Sequence, residues 1–211
     1  MAGTMSMSPQ VYEYVTLGMT AYLLGSVPVA LMLAALLKRT DLRTIGSGNL
    51  SVYNTMFNVG MVPGVLTIVW NGLLAVSTVV ITKSWFPAND IALMVAIGGV
   101  TAGNMWQLFA KFRGSRGSTT MGWTLLVAAP LILVVLFGIW VSAVLILRRS
   151  VPATRLLHAS IPVVFGVVEG SWTYAIGGAI IGGLLSLKFH MSGDDTVALG
   201  LYRRFGVNSR R

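Results

Sequence analysis

The sequence predicts an all-α integral membrane protein, a compact bundle of about seven transmembrane or partial-depth helices, on three observations. Hydrophobic residues make up 55 % of the 211-residue chain and charged residues only 10 %, against the ~25 % charge of an ordinary soluble domain; the mean hydropathy is +0.78. Apolar runs of the length that crosses a ~30 Å hydrocarbon core, about 20 helical residues, recur along the chain. Fifteen Lys and Arg oppose six Asp and Glu, for a net charge of +9, and the basic residues gather in the short links between apolar runs. That is the pattern of cytoplasmic loops, and the chain has too little polar surface for a nucleic-acid-binding face. The absence of cysteine excludes disulfides, thiolate catalysis and Cys-ligated metals.

The first apolar segment, 12–37, far exceeds the roughly 7–15 residue core of a signal peptide and reads as a retained helix. Segments 55–82 and 91–110 follow, each long enough to span. The stretch 118–147 demands a decision. As one helix it would be about 45 Å long, possible only with strong tilt; broken before Pro130 it becomes a partial-depth pair, 118–129 and 130–147. Charge arbitrates. Only the broken form puts every basic residue except Lys83 on one side of the membrane, with the N-terminus outside and the C-terminus cytoplasmic. Segment 156–168 is short, 171–189 spans, and 190–211 forms a basic cytoplasmic tail whose partners are lipid head groups. The whole, 1–211, is a single membrane domain. Segments of partial depth must be enclosed by protein, because lipid leaves exposed helix ends unsatisfied, so a cavity open to the cytoplasm is expected. Trp85, Trp106, Trp123 and Trp172 sit near segment ends, as interfacial anchors do.

The loops carry the candidate chemistry. In Asp41–Asn54, Gly46 and Gly48 flank Ser47, so the backbone can turn with positive φ and present successive N–H groups as an anion-binding nest, with Asn49 and Ser51 available as N-caps for the next helix. The competing structural reading is a plain capped turn. In Lys111–Thr120, Arg113 and Arg116 alternate with Gly114 and Gly117 before the hydroxyls of Ser118, Thr119 and Thr120, a set suited to a phosphate. It lacks the Walker spacing, so no nucleotide is inferred. Arg148, Arg149 and Ser150 face the same side. Asp41 pairs with Arg39 or Arg43, His158 reads as a packing or interfacial residue, and two isolated histidines make no metal site. No metal or other cofactor is expected, and no nucleic-acid partner.

With these residues in view, the chain resembles the PlsY family of bacterial membrane acyltransferases. Gly25-Ser26-Val27-Pro28 is similar to the family's Gly-Ser-[Ile/Val]-Pro. Asp41-Leu42-Arg43 with Gly46, Ser47, Gly48, Asn49 and Asn54 follows its Asp-Ile-Arg and Gly-Ser-Gly-Asn-x-Gly-Ala-Thr-Asn. Gly103, Phe109, Phe112, Gly114, Gly117 and Thr120 match the glycine- and lysine-rich second motif, and Arg149 aligns with the arginine of the third. The resemblance implies seven helices in a bacterial cytoplasmic membrane and transfer of an acyl chain from acyl phosphate to glycerol 3-phosphate, giving lysophosphatidic acid. It implies a substrate site at Arg43, Ser47, Gly48, Asn49, Asn54, Arg113, Gly114, Arg116, Gly117, Thr120 and Arg149, with no catalytic residue assigned.

The departures concentrate at charged and small positions. Asn104 stands where the family has His, Arg113 and Arg116 where it has Lys, Ser115 where it has Gly, and Ser51-Val52-Tyr53 where it has Gly-Ala-Thr. The family's Asp-x-x-Lys-Gly of the second helix aligns with Ile68 to Gly72, losing both charges. Neither serine of the third motif is in place. His190 aligns with a family His, but the expected Asn falls near Gly193. These exchanges raise a second reading, a family member without catalysis that serves as an accessory subunit of a membrane complex.

Overall fold

The structure is a computed structural model that describes residues 8–192, so most of the basic tail 190–211 lies outside the described residues. The regular elements among those residues are all helices, without strands. The first apolar segment folds as two helices, α1 (Pro9–Gly25) and α2 (Val29–Lys38). The break falls at Val27-Pro28 because Pro28 has no N–H to donate and disfavours helical geometry in the residue before it. The second segment is likewise divided, into α3 (Val52–Asn58) and α4 (Met61–Trp85), at Gly60 with φ +143°. Helices α5 (Asp90–Met105), α6 (Ser118–Ala128), α7 (Pro130–Leu147), α8 (Ser150–Glu169) and α9 (Trp172–Met191) complete the bundle.

Six segments are long and apolar enough to cross a membrane: Pro9–Lys38, Met61–Trp85, Asp90–Ala110, Pro130–Leu147, Ser150–Glu169 and Trp172–Met191. Two expectations change. The stretch 118–147 does break before Pro130, but only α6, 11 residues and about 16 Å long, stops short of a crossing. Helix α7 is the most apolar span, and most of its surface lies outside the protein interior, so it has the length and composition of a full crossing. Helix α8 is also full length, because it begins at Ser150 and continues through Pro162; the reading of 156–168 as short missed its polar first turns.

Side-chain ties fix which ends meet. Asn89 caps α5 by accepting from the Ala92 N–H at 3.0 Å, while its Nδ2 donates to the Tyr14 hydroxyl of α1 at 2.9 Å. Lys83 Nζ donates to the carbonyls of Val127 and Ala128 at 3.3 and 3.1 Å, satisfying the otherwise unpaired C-terminus of α6. Helices α1 and α5 run parallel and very close: a Cβ on Gly103 would strike the Tyr22 carbonyl, and one on Gly25 the Val100 carbonyl. Met94 and Gly98 of α5 similarly meet Gly177 and Ile181 of α9. Phe165, Ile97, Met105, Leu125, Ile132, Ile161, Ile181 and Leu185 are almost wholly enclosed and form the core among these helices.

Every described basic residue except Lys83 therefore falls at one end of the bundle, where Asp41 is the single described acid; Glu13, Asp90 and Glu169 lie at the other. Trp85 and Trp172 are exposed at helix ends, 77 % and 85 %. Trp123 is not an end anchor: its indole packs over Gly72 of α4, where the missing side chain leaves room for it.

Candidate functional site

At the basic end two loops are built differently. In the first, residues 39–51, Asp41 accepts from the Arg43 backbone N–H at 2.9 Å, and the Arg43 guanidinium grips the same carboxylate through Nε at 2.9 and 3.1 Å and Nη2 at 2.7 Å. This grip holds the Asp41 carboxyl down at about pKa 2 and raises that of Arg43. Asn54 is the hub of the loop. Its Nδ2 donates toward the carbonyls of Leu42, Ile45 and Asn49 at 3.3, 3.2 and 2.9 Å, and its Oδ1 accepts from Ser47 N at 3.3 Å and Asn58 Nδ2 at 2.8 Å. Gly46, with φ +58°, passes directly over this amide, and a Cβ there would strike Asn54 Oδ1. The Ser51 hydroxyl accepts from Asn54 N at 3.1 Å and caps α3. Asn49 lies in this web and is buried.

The second loop, residues 106–117, is threaded into the bundle. Gly114 passes against the Asn104 and Met105 carbonyls, and its own carbonyl accepts from Leu50 N at 3.2 Å, which joins the two loops. Arg113 Nη1 donates to the Arg43 carbonyl at 3.4 Å. Three residues that the sequence reading sets against charged or small positions of the family motifs are bonded to one another. Asn104 Nδ2 donates to Asn71 Oδ1 at 3.3 Å, the Ser115 hydroxyl donates to Asn104 Oδ1, and the same hydroxyl accepts from Gly117 N at 3.0 Å. A buried neutral chain of amides and hydroxyl is satisfied without any ion, whereas one charge left among these positions would have no partner. The exchanges are thus mutually consistent.

Beyond this chain lies a cavity of ≈ 350 Å³ between α3, α4, α6, α7, α8 and α9. Ser115, Arg116, Gly117, Ser118 and Thr119 form one polar wall; Met121, Leu125, Leu133, Leu136, Phe137 and Ile161 are among the residues that line the rest. The N-terminus of α6 opens at the polar wall, where first-turn amides have no intrahelical acceptor and the helix dipole favours an anion. The Arg116 guanidinium lies over the Phe189 ring, 5.1 Å from its centroid. The arrangement offers a cationic, N–H-rich seat for a phosphate beside an apolar slot.

Of the residues the sequence nominates, Arg116 and Gly117 line this cavity. Ser47, Gly48, Asn49 and Asn54 form the interior of the first loop, Arg43 is held by Asp41, Arg113 bridges the loops and Gly114 threads between carbonyls. Thr120 is buried in α6 with its hydroxyl unpartnered. Arg149 sits at the start of α8 and is not among the lining residues. Sequence reasoning missed Thr154 and His158 as lining residues, because the helical face they occupy is apolar apart from them. Trp140 Nε1 donates to Thr154 Oγ1 at 3.2 Å, fastening α7 to α8 across the cavity. Among the described residues no group of three or more His, Cys, Asp and Glu comes together.

A family profile described as glycerol-3-phosphate acyltransferase matches residues 15–194. The glycerol-3-phosphate acyltransferase of Desulforamulus reducens is 30 % identical over 156 residues, 74 % of this chain and 78 % of that protein. That of Rubrobacter xylanophilus is 27 % identical over 195 residues, 92 % of this chain and 96 % of its own length. The fold is that of the crystal structure of PlsY (YgiH), an integral membrane glycerol 3-phosphate acyltransferase in its glycerol 3-phosphate form, with a TM-score of 0.72 at 23 % identity, covering 94 % of this chain and 96 % of that one. Its lysophosphatidic acid form superposes with a TM-score of 0.70. An apolar bundle with one basic end, the three motifs in order and a match over most of its length converge: the chain is an integral membrane protein of the glycerol-3-phosphate acyltransferase family.

Proposed function

We propose that this protein transfers an acyl chain from an acyl phosphate to the 1-hydroxyl of glycerol 3-phosphate, releasing inorganic phosphate and forming lysophosphatidic acid. The observation that carries the reading is the cavity, with Ser115 to Thr119 at one wall and leucines and aromatics lining most of the remainder. An acyl phosphate has this same division between an anionic head and a long apolar tail. In this reading its phosphate lies against Arg116 and the first-turn amides of α6, and its chain runs along Leu125, Leu133 and Leu136. Arg43, Arg113 and Arg149, with the loop of Ser47, Gly48, Asn49 and Asn54, lie at the same basic end of the bundle, and in this reading they draw in glycerol 3-phosphate by charge; Gly114, Gly117 and Thr120 shape the turn that seats the donor. The donor is already activated, so the chemistry calls for no cofactor.

The membrane is a bacterial cytoplasmic membrane, with the N-terminus outside and the basic end facing the cytoplasm, where both polar substrates are made; its lipids are the protein's standing partners. An accessory, non-catalytic role in a larger membrane complex gains no support from the site, because the substituted positions Asn71, Asn104 and Ser115 form a satisfied network beside an open cavity. The test is to supply purified protein in bilayers with acyl phosphate and glycerol 3-phosphate. Lysophosphatidic acid and inorganic phosphate are expected in equal amounts; neither product, with no binding of either substrate, overturns the reading.

A further inference from the structure

We propose that the groove between α1, α5 and α9 holds an acyl chain of an anionic phospholipid, with the lipid phosphate seated on the Lys188 ammonium. The groove measures ≈ 820 Å³, and its walls are almost wholly apolar from Ile91 and Thr173 at one end to Leu108 and Leu184 at the other. It lies apart from the cavity described above. Helix α9 turns Leu185 and Phe189 toward that cavity and Ile180 and Leu184 toward this groove, so the inference does not depend on acyl transfer.

The stripe of α9 that lines the groove, Gly177, Ile181 and Leu184, continues one turn on at Lys188. Lys188 is 7 % exposed, and its Nζ lies 5.5 Å from the centroid of the Trp106 ring. Trp106 in turn is tied to the groove, because its carbonyl accepts from the hydroxyl of Tyr22, a lining residue. An aromatic face attracts an ammonium but leaves its three N–H donors without an acceptor. Among the described residues no carboxylate or hydrogen-bond acceptor pairs with Lys188. A buried cation in a membrane span is unfavourable without a counter-ion, which here a ligand must supply.

Charge and length choose the occupant. The end of the bundle at which Lys188 sits carries one described acid, Asp41, and Arg43 holds it, so the described residues of a second copy bring no free carboxylate to this level. Along α9 the lined stretch from Thr173 to Leu184 is about 16 Å long, little more than half of a ~30 Å hydrocarbon core. That is a short seat for a crossing helix and a fitting one for a single chain hung from a head group. Free phosphate would satisfy the ammonium and leave the groove unfilled. An anionic phospholipid does both, and such lipids gather where basic residues meet the membrane surface.

The test is native mass spectrometry of the protein in mixed micelles titrated with phosphatidylglycerol or phosphatidylcholine, with thermal stability read alongside. The parent is expected to bind one phosphatidylglycerol in preference to phosphatidylcholine. Lys188→Gln should weaken phosphatidylglycerol binding by about tenfold or more, the equivalent of one charge-assisted hydrogen bond, and leave phosphatidylcholine binding as it was. Lys188→Met, which keeps the buried stem, decides the point if the Gln variant does not fold. Gly98→Leu, where an added Cβ meets nothing closer than Ile181 at 3.8 Å, fills the groove and should weaken both lipids. Lys38→Gln, which alters an exposed lysine at the same end, should weaken neither. Phosphatidylglycerol held as tightly by the Lys188 variants as by the parent, an equal loss in Lys38→Gln, or no effect of Gly98→Leu overturns the inference. A parent dimer that Gly98→Leu dissociates also overturns it and gives the groove to a second copy. None of these outcomes bears on acyl transfer, which is read by its own products.

Discussion

The two loops at the basic end use similar residues to opposite ends. The loop of residues 39–51 turns many of its polar groups on itself: Asn54 gathers three carbonyls and an N–H, and Asp41 closes on Arg43. The loop of residues 106–117 ties down its buried part through Asn71, Asn104 and Ser115, then delivers Arg116 and the open amides of α6 to a cavity. Glycine, serine and arginine content therefore does not distinguish a binding loop from a scaffold. What distinguishes them is where the donors end up, and that depends on whether an acceptor within the same loop lies in reach.

The sharpest test of this contrast is a matched pair of truncations. Arg116→Ala is expected to lower kcat/KM for the acyl phosphate by roughly 10²-fold, the equivalent of about 2–3 kcal/mol for losing charge-assisted bonds to a phosphate. Arg43→Ala should cost only a few-fold, because its guanidinium is committed to Asp41; equal losses in steady-state kinetics would show that the first loop binds as directly as the second. The scaffold side is probed by Asn54→Ala, which strands buried carbonyls at Leu42 and Asn49 and should destabilise the protein by about 2–4 kcal/mol in thermal unfolding. A melting point unchanged from the parent would remove Asn54 from its place as hub.

A smaller effect is expected within the neutral chain. A double-mutant cycle on Asn71→Ala and Asn104→Ala should give a coupling of about 1 kcal/mol, and strict additivity would mean that the two amides do not cooperate. The smallest effect is the pH response of the ion pair. The folded-state carboxyl of Asp41 is lowered from its ordinary value of 3.8 to about 2, so its contribution is complete above about pH 4 and is lost as the pH falls through 2. A carboxyl titration followed by NMR should show a midpoint near 2 that moves back toward 3.8 in Arg43→Ala.

The apolar spans, the break before Pro130 and the gathering of basic residues at one end of the bundle were legible because hydropathy, proline and basic loops act locally; the breaks at Pro28 and Gly60 were not, because the apolar runs continue through them. The course of α8 was less legible, since its first turns at Ser150 to Arg155 are polar although they continue a membrane helix. The site was legible in part. Arg116 and Gly117 stand out because a glycine-rich basic turn before a run of hydroxyls is anion chemistry wherever it occurs. That Thr154 and His158 line a cavity was not legible, because their neighbours Leu157 and Ile161 are apolar and the cavity is closed only by what α6 and α9 bring opposite them.

Composition and periodicity were sufficient for a membrane bundle with one basic end, because the transfer of apolar and charged groups between water and lipid is a property of each segment separately. The meeting of Asn71, Asn104 and Ser115, three substitutions far apart in the chain, was decided by tertiary structure. So were the pairing of Arg43 with Asp41, and the placing of His158 and Arg116 about one phenyl ring. Hydrogen bonds and ring contacts act over a few ångströms, and only the packing of α4, α5, α6, α8 and α9 brings those atoms within that range.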